Sequence, residues 1–293
     1  MARCLDSLHA QSRLPNELVV VDSGSDDTPQ LVERFRLGNP SYIVKYLRSA
    51  PGLTRQRNIG IAAADGNIVH FMDDDVILDP DYLKEIQQTF EDASNQAVLA
   101  VIPAIQLPRK THARSLIFRR LFFLPLVNGN GRLQKSGFGS YTWYSNISGL
   151  HRVEVGCGCG CAFRREVFEK ILYDTWFKDY GYMEDLDFTY RVGRLGPILC
   201  NPMAKMLHME SPSARLNQAK LVEMQIVNHY YFFQKHMPQD ILHWTCFWWS
   251  ELGESLRRLA GAAKGRNLSA LTGMIRGYRL ILFRGKKLLE SNE

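Results

Sequence analysis

The amino-acid sequence predicts an α/β protein with a Rossmann-like, mostly parallel, doubly wound sheet and a helical C-terminal extension. Three observations carry that expectation. Short β-branched runs alternate with helix-length segments through the first third of the chain, the pattern that builds parallel sheets. An acidic triplet, Asp73-Asp74-Asp75, follows the apolar stretch Ile68 to Met72 and precedes a helix start. That order places it in the crevice beyond the carboxyl ends of strands, where open α/β sheets collect ligands. From about Arg215 onward the strand signals stop and aromatic-rich helical sequence takes over.

Taken in order, Leu18 to Val21 is a β-branched run ending at Asp22, and Gly24-Ser25 turns the chain. Thr28-Pro29 can cap a helix to about Phe35, because the missing proline N–H is harmless in a first turn. Tyr42 to Leu47 reads as a strand and Thr54 as the cap of a helix through Ala64. Asp65-Gly66 breaks the chain before the strand that leads to Asp73. Asp79 is placed to cap the next helix, with Pro80 at its first position and Leu83, Ile86 and Phe90 on one face. Val98 to Ile102 is strand-like, after which the composition changes to arginine and aromatics, then glycine, serine and asparagine. From Val153 to His208 strand and helix signals resume. These changes divide the chain into residues 1–107, an inserted segment 108–150, a second α/β part 151–212 and a helical region 213–293.

With 45% hydrophobic residues in 293, the chain can bury a sizeable core and is not a disordered one. No apolar run reaches the about 18 residues that cross a bilayer, and no basic-then-apolar leader opens the chain. The expectation is a cytoplasmic protein, peripheral at most on the inner face of a membrane. The net charge of +6 is concentrated in Arg109 to Arg120 and Arg257 to Lys287, both mixed with apolar side chains. Two segments, His112 to Leu126 and the block Trp244, Phe247, Trp248, Trp249, therefore suit an anionic membrane surface, the alternative being that both pack on the core. No nucleic-acid-binding motif accompanies them, so nucleic acid is not an expected partner. Cys157, Cys159 and Cys161 lack the CxxC spacing of zinc sites and read more simply as a strand whose glycines let a backbone or ligand approach.

Three adjacent carboxylates stay ionised together only beside positive charge, which points to a divalent cation. Oxygen ligands favour Mg²⁺ or Mn²⁺ over zinc.

The run Val19 to Thr28, VVVDSGSDDT, resembles the first nucleotide-binding loop of the inverting, GT-A fold, nucleotide-sugar glycosyltransferases of family 2. Arg57-Asn58, then Gly66 to Val69 and Asp73 to Asp75, then Pro80 to Leu83, are similar to that family's helix and DxD element. Gly160 to Arg165, followed by Glu184 to Asp187 and Arg191, is similar to its acceptor-side strand and ED motif. The resemblance covers about residues 4 to 236 and rests on the order and spacing of several weak motifs. Two departures accompany it. Relatives begin with an apolar strand ahead of the helix that here contains Cys4, Leu5 and Leu8, so the chain is expected to be a fragment or to have a misassigned start. Ser23 stands where many relatives have another Asp that helps hold the base.

The resemblance implies a glycosyltransferase that moves a sugar from a nucleotide-diphosphate donor to an acceptor hydroxyl, a glycan or lipid-linked saccharide. A nucleotidyltransferase of similar fold, or a non-catalytic nucleotide-sugar or membrane scaffold, are the alternatives. Asp73 and Asp75 are the candidate metal ligands, Asp75 foremost, and His208 resembles the late histidine that some relatives direct at the metal or diphosphate. Asp74 is grouped with the donor site or serves only the next helix. Asp185 is the candidate general base; a carboxylate with a pKa of about 4 must accept its proton late, as the new bond forms. Glu184 is its companion, orienting base or acceptor, and Asp187 is expected to pair with Arg191 at i, i+4. Asp22, Ser23 and Arg57 fall on the nucleotide side, Arg57 facing phosphate or a surface carboxylate. Arg164 and Arg165 contact phosphate or begin a helix.

Overall fold

The chain opens with α1 (Ala2–His9), whose Cys4, Leu5 and Leu8 are buried. Next come β1 (Glu17–Asp22), α2 (Thr28–Gly38), β2 (Ile43–Arg48), α3 (Leu53–Ala63), β3 (Ile68–His70), β4 (Val76–Leu78), α4 (Tyr82–Glu91) and β5 (Ala100–Gln106). Then follow α5 (Ala113–Leu121), β6 (Arg132–Leu133), β7 (Gly139–Ser140), β8 (His151–Val153), β9 (Ala162–Arg164), α6 (Glu184–Leu195) and β10 (Ile198–His208). Three helices, α7 (Gln218–His236), α8 (Ile241–Ala263) and α9 (Leu268–Glu290), complete the order. This computed structural model describes residues 1–38, 41–106, 113–126, 129–142, 149–209, 217–263, 265 and 268–290, with side chains at all of these except 113, 284 and 286–290. His112, the predicted start of the basic and aromatic segment, lies outside the described residues.

The chain divides into two compact units, Met1–Lys110 with Val127–Gly131 and Tyr141–Ser211, and Thr111–Leu126 with Arg132–Ser140 and Pro212–Glu293. In the first unit β1 and β2 pair in parallel, and a larger sheet runs β3-β9-β5-β10-β4, with β8 also on β10. β5 and β10 are parallel; the other pairs of this sheet are antiparallel. The α/β class therefore holds, while strand direction is more mixed than simple alternation implies. β10 pairs antiparallel with β8 through its first three residues and with β4 through its last three, across a register shift between Asn201 and Lys205, and β9 runs antiparallel to both β3 and β5.

The sheet is covered on both faces. Side chains alternate along β5: Val101 and Ile105 join Cys4, Leu8, Tyr82, Ile86 and Phe90 of α1 and α4, whereas Ala100 and Ile102 join Ile61, Phe188 and Val192 of α3 and α6. Burial of both faces is what a doubly wound sheet requires.

Three local expectations change. Asp79 does not cap α4, because the chain first makes β4 against β10 and then turns, Tyr82 N–H donating to Asp79 O at 3.0 Å. Asp81 stands at the cap position instead, its carboxylate taken by the Ser12 hydroxyl at 2.6 Å. Thr54 lies inside α3, which Gly52 opens, and its hydroxyl donates to Phe177 O. Residues 157–161 form a turn, and the strand begins only at Ala162. Their glycines do mark close approach, since a Cβ on Gly160 would meet Met206 Sδ at 2.5 Å.

In the second unit α7 and α9 pack through Val222, Ile226, Ala270 and Ile281. Gly273 and Gly277 permit it, because a Cβ at Gly273 would stand 2.1 Å from Ala219 O. His229, buried in α7, faces Glu251 Oε1 of α8 with Nδ1 at 2.7 Å and Ser136 O with Nε2 at 2.8 Å, so the β6–β7 hairpin is tied to α7 and through it to α8. Gly273→Val should lower stability by about 1–3 kcal/mol through overpacking against backbone that has nowhere to go. Gly261→Ala, in α8 with open space around it, should raise stability by up to about 1 kcal/mol. Urea unfolding of the two variants reads the opposite signs.

Candidate active site

Strand register brings the first group together. β4 pairs antiparallel with the end of β10 so that Val76 faces His208, and Met209 N–H donates to Asp75 O at 2.9 Å. Asp75, one residue before Val76, is thereby set beside His208, Oδ1 lying 3.0 Å from Nε2. Asp73 Oδ2 lies 3.7 Å from the same nitrogen. One ligand atom each from Asp73, Asp75 and His208 falls within 4.8 Å of the others, and all three residues are half-buried. Two carboxylate oxygens are hard anionic donors and the imidazole is a borderline nitrogen donor, a mixed set that fits a divalent cation such as Mn²⁺. Asp74 points elsewhere: its side chain is 66% exposed and its carboxylate is 3.9 Å from the N-terminal amine.

Arg57 carries the cluster across to the second acidic group. Its guanidinium is buried, with NH1 2.5 Å from Glu184 Oε1 and NH2 3.7 Å from Asp73 Oδ1. The Tyr173 ring lies 5.1 Å and the Phe71 ring 5.9 Å from its central carbon. Neighbouring residues of α3 fix this pose: Thr54 holds Phe177 O, and Asn58 exchanges two hydrogen bonds of 2.9 Å with the backbone of Tyr173. Burial disfavours the guanidinium's charge, but Glu184 and Asp73 outweigh it and hold its pKa well above the ordinary value. Of the two expectations for Arg57, the surface ion pair gives way to a buried one.

Glu184 and Asp185 open α6 after a turn in which Gly181 and Met183 adopt positive φ, 67° and 71°. Burial pushes the Glu184 carboxyl up to about 8, against the pull of Arg57, with Asp185 and Asp73 adding to the rise. Its Oε2 is buried without a hydrogen-bond partner among the described residues. Asp185, half-buried, is held from two directions: Gly158 N–H donates to Oδ2 at 3.0 Å and Leu186 N–H to Oδ1 at 2.8 Å. Gly158 has no room for a side chain, since a Cβ would stand 2.7 Å from Arg57 NH1. Burial likewise pushes the Asp73 carboxyl up, with Arg57 and His208 pulling it down.

On the remaining candidates, Asp22 at the end of β1 accepts from the Tyr46 hydroxyl, Arg48 NH1 and Gly24 N–H, and Ser23 beside it is half-buried. Gln56, the neighbour of Arg57, donates to Val21 O and so links α3 to that strand end. Asp187 pairs with Arg191 at 2.8 Å. Arg164 donates to Val98 O and Phe90 O, and Arg165 to Gly66 O and Ala64 O, so both guanidiniums tie strand ends together. The sequence reading did not single out Gly158 or Tyr173 as site residues. The glycines alternating with Cys157, Cys159 and Cys161 were the only signal for the first, and nothing local marks the second.

Residues 1–172 match the family model described as glycosyl transferase family 2. The putative glycosyltransferase EpsH of Bacillus subtilis (strain 168) is 31% identical over 96 residues, 32% of this chain and 28% of its own length. An uncharacterized glycosyltransferase of Nostoc sp. is 29% identical over 112 residues, 38% of this chain and 35% of its own. The chain thus matches about a third of the length of these curated relatives. Among solved structures, the mannosyltransferase PcManGT from Pyrobaculum calidifontis, in complex with GDP-Man and Mn²⁺, gives a TM-score of 0.54 at 19% identity, over 98% of this chain and 78% of that one. S. aureus TarS 1-349 in complex with UDP-GlcNAc gives 0.55 at 16%, over 93% and 74%. At such identities the likeness concerns the fold, and it is the GT-A fold.

Above about pH 8, where Glu184 is ionised, Arg57→Met should cost about 3–5 kcal/mol of stability, because it leaves Glu184 buried, and the half-buried Asp73 beside it, without their cation. Adding Glu184→Gln should restore part of the loss, as read by urea unfolding. Because the Glu184 pKa rises on folding from 4.5 to about 8, the folded state binds more protons in that window and stability falls as pH rises through it. Wild type should therefore lose ground to Glu184→Gln between about pH 5 and about pH 8; a gain would contradict the burial argument.

Proposed function

The chain belongs to glycosyl transferase family 2, and from that premise we propose that it transfers a sugar, with inversion, from a nucleoside-diphosphate donor to an acceptor hydroxyl. One observation carries the reading: Arg57 touches Glu184 with one end of its guanidinium and faces Asp73 with the other. The donor-side and acceptor-side carboxylates therefore lie within a single side chain's reach.

Inversion needs the acceptor to attack the face of the sugar opposite its leaving group and to lose a proton as it does so. Asp185 is the group for that proton. Its two hydrogen bonds from Gly158 and Leu186 aim the carboxylate, and aim matters more than basicity when the proton moves late. Glu184, buried and paired, acts on position: it holds Arg57, and Arg57 keeps positive charge beside Asp73. Asp73, Asp75 and His208 would hold a divalent ion, whose chemistry is to stabilise the charge gathering on a diphosphate leaving group. Support for that donor comes from PcManGT, a protein of this fold in complex with GDP-Man and Mn²⁺. Asp22, Ser23 and the end of β1 are the proposed base and ribose side. The acceptor we assign is a glycan or lipid-linked saccharide, in surface-polysaccharide assembly.

Hydrolysis of labelled GDP-Man and UDP-GlcNAc with Mn²⁺ tests the assignment. Asp185→Asn should lower kcat by about 10²–10⁴ while leaving donor affinity in place. Asp75→Asn should weaken Mn²⁺ binding measured by calorimetry. Equal turnover in wild type and Asp185→Asn would remove the base, and donor binding with no turnover at all would favour a scaffold.

A further inference from the structure

We infer that the second unit carries a docking face, formed by α5 and the outer side of α8, that seats on an anionic lipid surface. α8 reverses the usual distribution of a surface helix. Its Ser250, Glu251, Glu254 and Arg258 are buried, whereas Ile241, Trp248, Trp249, Leu252, Leu256 and Leu259 are exposed. Apart from the adjacent Trp248 and Trp249 they are spaced three, four and seven residues apart, so the exposed six share one side of the helix for most of its 23 residues. The polar side chains turned inward have partners there: Glu251 accepts from Tyr278 and faces His229, and Glu254 pairs with the buried Arg258 as well as with Arg257 at the surface.

α5 widens the same side. Trp249 Nε1 donates to Leu121 O at 2.8 Å, and the Phe122 ring stacks on Trp249 at 4.8 Å. Gly253 admits that ring, since a Cβ there would stand 2.4 Å from Phe122 Cβ. The contact sets the exposed Ile117 and Leu121 of α5 alongside the α8 row. Exposed apolar side chains over two adjoining helices mark an interaction surface.

Charge identifies the occupant. Arg114 and Arg120 of α5 are exposed, α5 has no acidic residue, and both acids of α8 are turned inward. Two copies joined through this face would bring arginines together without neutralising them. Phosphate headgroups neutralise them, and exposed tryptophan suits the boundary between headgroups and acyl chains. Among the described residues no helix is long and apolar enough to cross a membrane, so the face lies along the surface, as interfacial helices do. This inference does not depend on the transfer reaction.

Co-sedimentation of the full chain with vesicles of phosphatidylcholine and phosphatidylglycerol in equal parts, against phosphatidylcholine alone, tests it. Binding to the mixed vesicles with a blue shift of tryptophan emission is expected. The double variant Ile117→Asp, Leu252→Asp should lose affinity by about tenfold or more. The double variant Arg114→Glu, Arg120→Glu, which alters only exposed side chains, should lose about as much while unfolding like wild type. The inference is overturned if the chain binds neither vesicle, binds both equally, or keeps its affinity in the charge-reversed variant. It is equally overturned if the chain binds no lipid and sediments as a dimer that Leu252→Asp dissociates.

Discussion

A buried guanidinium is the constraint on which the first unit depends. Arg57 has given up most of its hydration, which costs several kcal/mol unless each charge it meets is well placed. Glu184 meets it directly and Asp73 lies at longer range, while the Tyr173 and Phe71 rings close the remaining sides. Glu184 could not be buried in ionised form without this cation, and the cation could not be buried without Glu184. The acidic loop after β3 and the first turn of α6 are therefore held in one place by a single side chain from α3. That makes the site a property of three elements together.

Close approach around this pair depends on residues with no side chain. Gly158 lets its backbone N–H reach Asp185 and leaves room for the guanidinium beside it. Gly181, at positive φ, turns the chain so that α6 begins with Glu184 aimed inward. The second unit uses the same means for another end. Gly273 and Gly277 bring α7 and α9 together, and Gly253 admits Phe122 against α8. There the polar side chains are drawn inward around His229, which leaves leucine and tryptophan to face outward on α8.

Much of this was legible in sequence because it is local. The strands ending at Asp22 and before Asp73, the helix opening at Glu184 and the Asp187–Arg191 pair follow from residue pattern within a few positions. The misread points share a different cause. Asp79 looked like a cap until β4 claimed the preceding residues for β10, and Thr54 looked like one until its hydroxyl found Phe177 O across the fold. Arg164 and Arg165 read as phosphate ligands or as a helix start; Arg165 does open a short 3-10 turn, and both guanidiniums reach backbone carbonyls that sequence does not show nearby in space. Cys157 to Cys161 alternates like a strand, yet packing at Gly158 and Gly160 bends it into a turn.

The sequence by itself determined the α/β class, the family resemblance and which carboxylates are candidates, since periodicity and motif spacing are properties of the chain's order. Tertiary structure decided what those carboxylates face. His208 joins Asp75 only through the register of β4 on β10, and Arg57 becomes a buried bridge only because α3, α6 and the acidic loop converge. Electrostatic roles depend on distance and desolvation, and neither quantity exists until segments far apart in the chain are packed together.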